Sequence, residues 1–188
     1  MMDILIVGVG GQGTLLTSRV LGNLAVSLGY DVKLSEVHGM AQRGGSVVTH
    51  VRFGEKVYAP VVDDGCADII LAFEMLEALR WCGRLKEGGK LFVNTQKILP
   101  MPVITGAEPY PADIEGRIRE MVPDAVFLDA LSLANEAGNA KALNTVMVGV
   151  LARHMDIDKQ EFIDAVKQTV PAATKKINLL AFEKGYNA

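Results

Sequence analysis

The stretch Gly8-Val9-Gly10-Gly11-Gln12-Gly13 constrains the fold of this chain more than any other. It follows Asp3-Ile4-Leu5-Ile6-Val7, a near-continuous apolar run of the kind that forms a parallel strand buried on both faces. After the glycines, Leu15, Leu16, Val20, Leu24 and Leu28 recur at helical spacing, and Gly29 marks a stop. Asp31-Val32-Lys33-Leu34 reads as the next strand. Strand, glycine turn, helix and strand form the βαβ unit that opens a Rossmann-like fold. Such a unit turns bare backbone N–H groups and a helix N-terminus toward an anion, usually a pyrophosphate. Glycine suits the turn because it tolerates positive φ and lets backbone come close to a ligand. The same glycines would equally serve to close the turn and pack the helix on the sheet. Glu36 falls where a dinucleotide-binding domain places an acid for the ribose, which keeps a nucleotide reading open.

The pattern beyond Glu36 departs from a plain dinucleotide-binding domain. Val37-His38-Gly39-Met40-Ala41-Gln42-Arg43-Gly44-Gly45-Ser46 concentrates His, Gln, Arg and glycine in one loop. Arg43 offers a forked anion donor and His38 a proton-handling group, although a polar loop can also be merely solvated. Val47–Phe53 alternates as a strand with one wet face, Gly54-Glu55 suits a type II′ turn, and Lys56–Ala59 reads as the returning strand. The spacing thus predicts an inserted β-hairpin. Further buried strands are expected at Ala67–Phe73, Lys90–Asn94 and Ala125–Asp129, with a turn at Lys86–Gly89. Helices are expected over 74–81 and 113–121, and the chain from 130 onward reads as helical. Pro100, Pro102, Pro109 and Pro111 make the 98–111 segment an irregular connection. Glu74, Asn94-Thr95-Gln96 and Asp129 stand at strand ends, where they can line a crevice or cap the next helix. Asn144 and Thr145 interrupt an apolar helix, where they can answer a buried backbone group or an interface partner.

Composition narrows the chemistry. The 188 residues suit one α/β domain, spanning 1–188, with a mostly parallel sheet flanked by helices and a helical C-terminal third. Hydrophobic residues make up 49%, enough for a doubly covered sheet and a large apolar contact surface. No apolar run approaches a membrane span, and Asp3 interrupts any signal-peptide pattern, so a cytoplasmic protein is expected. The net charge of −3 and the lack of a basic cluster beyond Lys175-Lys176 argue against nucleic acid. Cys66 and Cys82 fall short of the roughly four thiolates an iron–sulfur cluster requires, and three scattered histidines suggest no metal site. The chain also lacks a nucleophile elbow, a Walker lysine, an H-E-x-x-H motif and the diphosphate–metal signature of thiamine enzymes. It has a fold for holding something, without a self-sufficient reaction centre.

The glycine turn taken with Glu36–Ser46 resembles the gamma-type domain of the 2-oxoacid:ferredoxin oxidoreductases, and the likeness extends over the whole chain. Within that family it is nearest to the small β subunits of the indolepyruvate:ferredoxin branch. The resemblance implies a division of labour. Thiamine diphosphate and [4Fe-4S] clusters would belong to a large α subunit, ferredoxin would be reached through the complex, and coenzyme A would be co-substrate. The small chain would bind no cofactor alone. The resemblance makes Gly8, Gly10, Gly11, Gln12, Gly13, His38, Gln42, Arg43, Gly44, Gly45 and Ser46 the surface facing the active site, with no catalytic residue assignable. A stand-alone NAD(P)-binding oxidoreductase and a purely scaffolding subunit are the competing readings.

Overall fold

The computed structural model describes residues 1–38 and 44–188. Its centre is a six-stranded sheet: β1 (Met2–Val9), β2 (Asp31–His38), β3 (Ser46–Gly54), β4 (Ala67–Ala72), β5 (Leu85–Asn94) and β6 (Val126–Leu128), ordered β2-β3-β1-β4-β5-β6. Strands β1, β4, β5 and β6 pair in parallel, whereas β3 is antiparallel to both β1 and β2. The fold is therefore Rossmann-like α/β with a mostly parallel sheet.

In β1, Ile4, Leu5, Ile6 and Val7 are completely buried, because helices cover both faces of the sheet. Helix α1 (Thr14–Ser27) ends as its sequence anticipates. Gly29 has φ +81°, and the N–H groups of Gly29 and Tyr30 donate to the carbonyls of Val26 and Ala25. This Schellman closure pairs the last carbonyls and turns the chain into β2.

The hairpin in the structure is β2–β3, with Asp31 opposite Gly54 and His38 opposite Val47. The expected return strand Lys56–Ala59 does not form. Both edges of β3 are already occupied, so the following chain has no ladder to join. It crosses the sheet face instead. Arg52 holds it there, donating to the carbonyls of Ala59 and Val61 while its fork grips Asp3 at 2.9 and 3.0 Å. The Val57 amide donates to Asp31 and the Val62 amide to His50 Nδ1, burying both valines.

Lys86–Gly89 is likewise part of β5. The pairing jumps from Ala67/Leu85 to Ile69/Lys90, so the glycines form a bulge inside a longer strand, with Gly88 at φ +72°. The proline-rich connection contains one short helical turn, α3 (Met101–Ile104), admitted because Pro102 stands in its first turn, where no intrahelical N–H is lost.

One face of the sheet packs on α1, α5 (Ala130–Glu136), α6 (Leu143–Arg153), α7 (Lys159–Thr169) and α8 (Lys175–Tyr186). The other packs on α2 (Met75–Trp81) and α4 (Ile114–Met121). Helices α6 and α8 meet at Gly149 and Gly185. A Cβ at Gly185 would lie 1.9 Å from the carbonyl oxygen of Val146. The two helix backbones therefore approach closely where both residues lack a Cβ.

Candidate functional site

The glycine turn, the start of α2 and the end of β5 converge at the carboxyl edge of the parallel strands, the edge where open α/β sheets bind ligands. Phe73 N–H donates to Val7 O, and Met75 N–H to Gln96 O, closing this edge by main-chain bonds.

Gln12 forms the centre of the edge. Its Oε1 accepts from Val9 N–H at 2.8 Å, and its Nε2 donates to Phe73 O at 2.9 Å and Gln96 Oε1 at 3.1 Å. Asn94 Nδ2 donates to the same Phe73 carbonyl, and Asn94 Oδ1 accepts from Ala130 N–H. These side-chain amides tie together the strand ends of β1, β4 and β5.

The sequence-chosen residues divide by what they touch. Gly8 is small for packing, since a Cβ there would lie 2.9 Å from Gln12 Oε1 and 3.0 Å from Phe73 Cβ. Gly10 N–H donates to Gly45 O at 2.9 Å, and Gly44 N–H to Gly10 O at 3.4 Å, zipping the turn to the β3 entrance. Gly11, at φ +103°, faces open space. Gly13 caps α1 at φ +89°, and a Cβ there would meet Asn144 Nδ2 at 2.7 Å. Ser46 Oγ donates to the buried Glu77. His38 ends β2 opposite Val47. Gln42 and Arg43 lie outside the described residues.

Two clefts flank the turn. One, of about 320 Å³, lies between Gly11–Gly13, Gln96, Leu131 and Lys141. The other, of about 340 Å³, lies between Gly10, Thr14, Leu15, Glu36 and Val47. Each is near the lower size of small-molecule sites. Glu36, the acid anticipated for a ribose, accepts from Thr49 Oγ1 at 3.3 Å and lines the second cleft.

Glu74 caps α2. Its Oε2 accepts from Glu77 N–H, and its Oε1 accepts from Ile98 N–H and, at 3.4 Å, from Tyr110 Oη. Burial raises the Glu74 pKa against the opposing effect of those donors. Burial, with the neighbouring Glu74 carboxylate, pushes the Tyr110 phenol up to about 12. Asp129 is a cap as well, accepting from the amide and hydroxyl of Ser132. Glu74 is buried in this role, whereas Asp129 stays exposed.

Asn144 and Lys141 were not chosen as site residues from sequence. Asn144 read as a polar interruption of an apolar helix, and Lys141 sits in a 3₁₀ turn (Ala140–Ala142) with no sequence signal of its own. The fold brings both to the glycine turn. Among the described residues, no group of three or more His, Cys, Asp or Glu could hold a metal ion. Among the described residues, no helix is long and apolar enough to cross a membrane.

The sheet order defines a Rossmann-like α/β protein with two clefts beside its glycine turn at the carboxyl edge. The chain belongs to the pyruvate ferredoxin/flavodoxin oxidoreductase family, whose model matches residues 3–188. It is 42% identical to indolepyruvate oxidoreductase subunit IorB of Thermococcus kodakarensis, over 99% of this chain and 95% of that protein. The IorB subunit of Archaeoglobus fulgidus is 39% identical over 99% of this chain and 94% of its own length. Among solved structures, pyruvate oxidoreductase subunit PORC of Thermotoga maritima shares the fold with a TM-score of 0.74 at 21% identity. That likeness covers 99% of this chain and 95% of that one.

Proposed function

We propose that this chain is the small, cluster-free subunit of an indolepyruvate:ferredoxin oxidoreductase. In that role it supports the coenzyme A-dependent oxidative decarboxylation of arylpyruvates to arylacetyl-CoA, CO₂ and reduced ferredoxin. The observation carrying this reading is the near-full-length similarity to IorB subunits, at 36–42% identity across four archaea. A large α subunit would hold thiamine diphosphate and the [4Fe-4S] clusters and pass electrons to ferredoxin in the cytoplasm. Residues 1–188 would act as one gamma-type domain. The paucity of thiolates in this chain favours that division.

In this reading the glycine turn and the loop from His38 to Ser46 face the shared active site. Two apolar residues support a partner surface beside them: Leu15 and Val37 are 46% and 53% exposed. Met101 and Ile104, on the proline-rich connection, are more than half exposed as well. Isolated exposed apolar residues are common, but Leu15 borders the Glu36 cleft beside the turn, where an apolar edge suits an interface.

Co-expression with the large subunit, followed by an assay of indolepyruvate- and coenzyme A-dependent ferredoxin reduction, tests the proposal. Turnover by the pair and none by either chain alone is expected. Arg43→Ala should reduce that turnover sharply, as an anion-binding arginine is poorly replaced. A pair that assembles and turns over pyruvate but not arylpyruvates would overturn the substrate assignment.

A further inference from the structure

A cavity of about 630 Å³, larger than either cleft beside the glycine turn, opens at the opposite, amino edge of the parallel strands. It lies where β1 begins, β3 ends and α6 passes into α7. Its volume is within the range of small-molecule sites. The floor is the open end of the main core: Phe53 belongs to that core, and Met2, Met155 and Ile157 pack against it while lining the cavity. Tyr30 forms a wall, its ring 5.8 Å from that of Phe53 and tilted by 42°. Met1 lines the cavity as well, its Sδ accepting from Arg52 Nη2 at 3.4 Å. Thioethers and two tilted rings suit a planar aromatic body, which gains from ring-edge and sulfur contacts as well as from burial.

The rim carries charges of both signs. Glu55 and Lys56 stand on the turn after β3, and Asp156 on the loop after α6. Among the described residues, neither Glu55 nor Asp156 forms an ion pair. Lys56 is held only loosely. Its Nζ stands 3.8 Å from Asp31, a carboxylate already engaged by Lys33 at 3.1 Å and by the Val57 amide at 3.0 Å. The backbone beneath these charges is fixed. Gly54 pairs with Asp31 in the sheet and Val57 N–H is tied to the same aspartate, so the Glu55–Lys56 turn is pinned on both sides. Across the cavity, Lys90 Nζ donates to His154 O at 2.8 Å, and the His154 ring packs 4.8 Å from that of Phe92, holding the start of the 155–157 loop. An apolar bed and uncommitted charges of both signs are therefore already in place before any ligand arrives.

We infer that this cavity binds an aromatic α-amino acid as its zwitterion. The ring would lie on the Tyr30, Phe53 and methionine bed, the carboxylate toward Lys56 and the ammonium toward Glu55 and Asp156. An aryl acid lacking the ammonium would meet two rim carboxylates unanswered, and an aryl amine would leave Lys56 unanswered and repelling it. The site is independent of the function proposed above.

Titration of the full-length, isotopically labelled chain with L-phenylalanine, read by amide chemical shifts, tests the site; phenethylamine and phenylacetate are the one-charge controls. Saturable shifts are expected at Tyr30, Gly54, Lys56 and Ile157, with half-saturation at about 1 mM or below. Each control should bind about fivefold or more weaker. Tyr30→Ala should weaken L-phenylalanine by about fivefold or more. Lys56→Met should weaken it likewise yet leave phenethylamine no weaker than about twofold, and Glu55→Gln with Asp156→Asn should do the same with respect to phenylacetate. These rim side chains are exposed, so the shifts outside the cavity report that the fold is kept in each variant. Equal affinity for L-phenylalanine and either control, unchanged affinity in Lys56→Met, shifts centred on Gly11–Gly13, or no saturation by about 10 mM L-phenylalanine would overturn the inference.

Discussion

Ser46 Oγ and Glu77 Oε2 lie 2.5 Å apart, joining the entrance of β3 to the buried face of α2 across 31 positions of sequence. Glu77 Oε1 accepts from Arg80 Nη1 at 2.7 Å, so both carboxylate oxygens are engaged although the side chain is only 3% exposed. Ser46 had the appearance of a ligand-facing loop residue, but its hydroxyl anchors the chain where it leaves that loop. Ser46→Ala should destabilise the fold by about 1.5–3 kcal/mol, the usual contribution of a hydrogen bond to a charged partner. Urea denaturation measures it. A loss below about 0.5 kcal/mol would show that water replaces the hydroxyl freely.

Gly11 and Gly13 both have positive φ, but they differ in surroundings. Gly11→Ala meets no atom within 4 Å and should cost only the conformational penalty, about 1–2 kcal/mol. Gly13→Ala adds a 2.7 Å contact with Asn144 Nδ2 and should cost more. Thermal unfolding of the two variants side by side gives the comparison; equal losses would mean that Asn144 yields without resistance.

His50 links pH to stability. It is 3% exposed, and its Nδ1 accepts from Val62 N–H, a contact that requires an unprotonated nitrogen. Burial, aided by Arg84 and Arg52, holds its pKa below the ordinary 6.5. The unfolded chain thus takes up the proton first. The contribution is complete above pH 6.5 and is lost as pH falls toward the folded-state value. His154, also depressed by burial, acts in the same sense, and Glu74, with its raised pKa, in the opposite one. Unfolding free energies of wild type and His50→Gln at pH 8 and pH 5.5 isolate the term. Wild type should lose more stability than the variant between those pH values.

The α6–α8 crossing should be the least tolerant place in the chain. A Cβ at Gly149 would lie 2.2 Å from Phe182 O, and one at Gly185 1.9 Å from Val146 O, so backbone must move in either case. Gly185→Ala is expected to cost about 3 kcal/mol or more and lower the melting temperature by roughly 6 °C or more. Gly138→Ala, with no atom within 4 Å but φ +106°, separates backbone strain from steric collision.

The two cysteines should differ sharply toward a thiol reagent. Cys66 is exposed, whereas Cys82 is buried, donates to Leu79 O and has a pKa raised by burial. One thiol per native chain should react rapidly and the second only on unfolding. Two fast equivalents would place Cys82 in a segment that opens readily.

Short-range features were legible in the residues themselves. The β1–turn–α1 unit, the Gly29 stop and the capping roles of Glu74 and Asp129 depend on hydrophobic period, glycine dihedrals and side chains that reach a few positions along the chain. The helical third after Ala130 followed from the same periodicity. The second limb of the hairpin was misplaced because Gly54-Glu55 has the local chemistry of a tight turn, and local chemistry does not reveal which strand edges are free.

Sequence by itself determined that a glycine turn would stand between a buried strand and a helix, because those conformations are set by neighbouring residues. Tertiary structure decided what the turn faces. The insertion of β3 between β2 and β1 brings Gly45 to Gly10, the carboxyl ends of β4 and β5 bring Phe73 and Gln96 to Gln12, and the packing of α6 brings Asn144 to Gly13. Gln12 could be read as a ligand contact in the linear chain; in the fold its amide is consumed by three strand ends. Such meetings depend on strand order and helix packing, which are selected by the burial of the whole core rather than by any one segment.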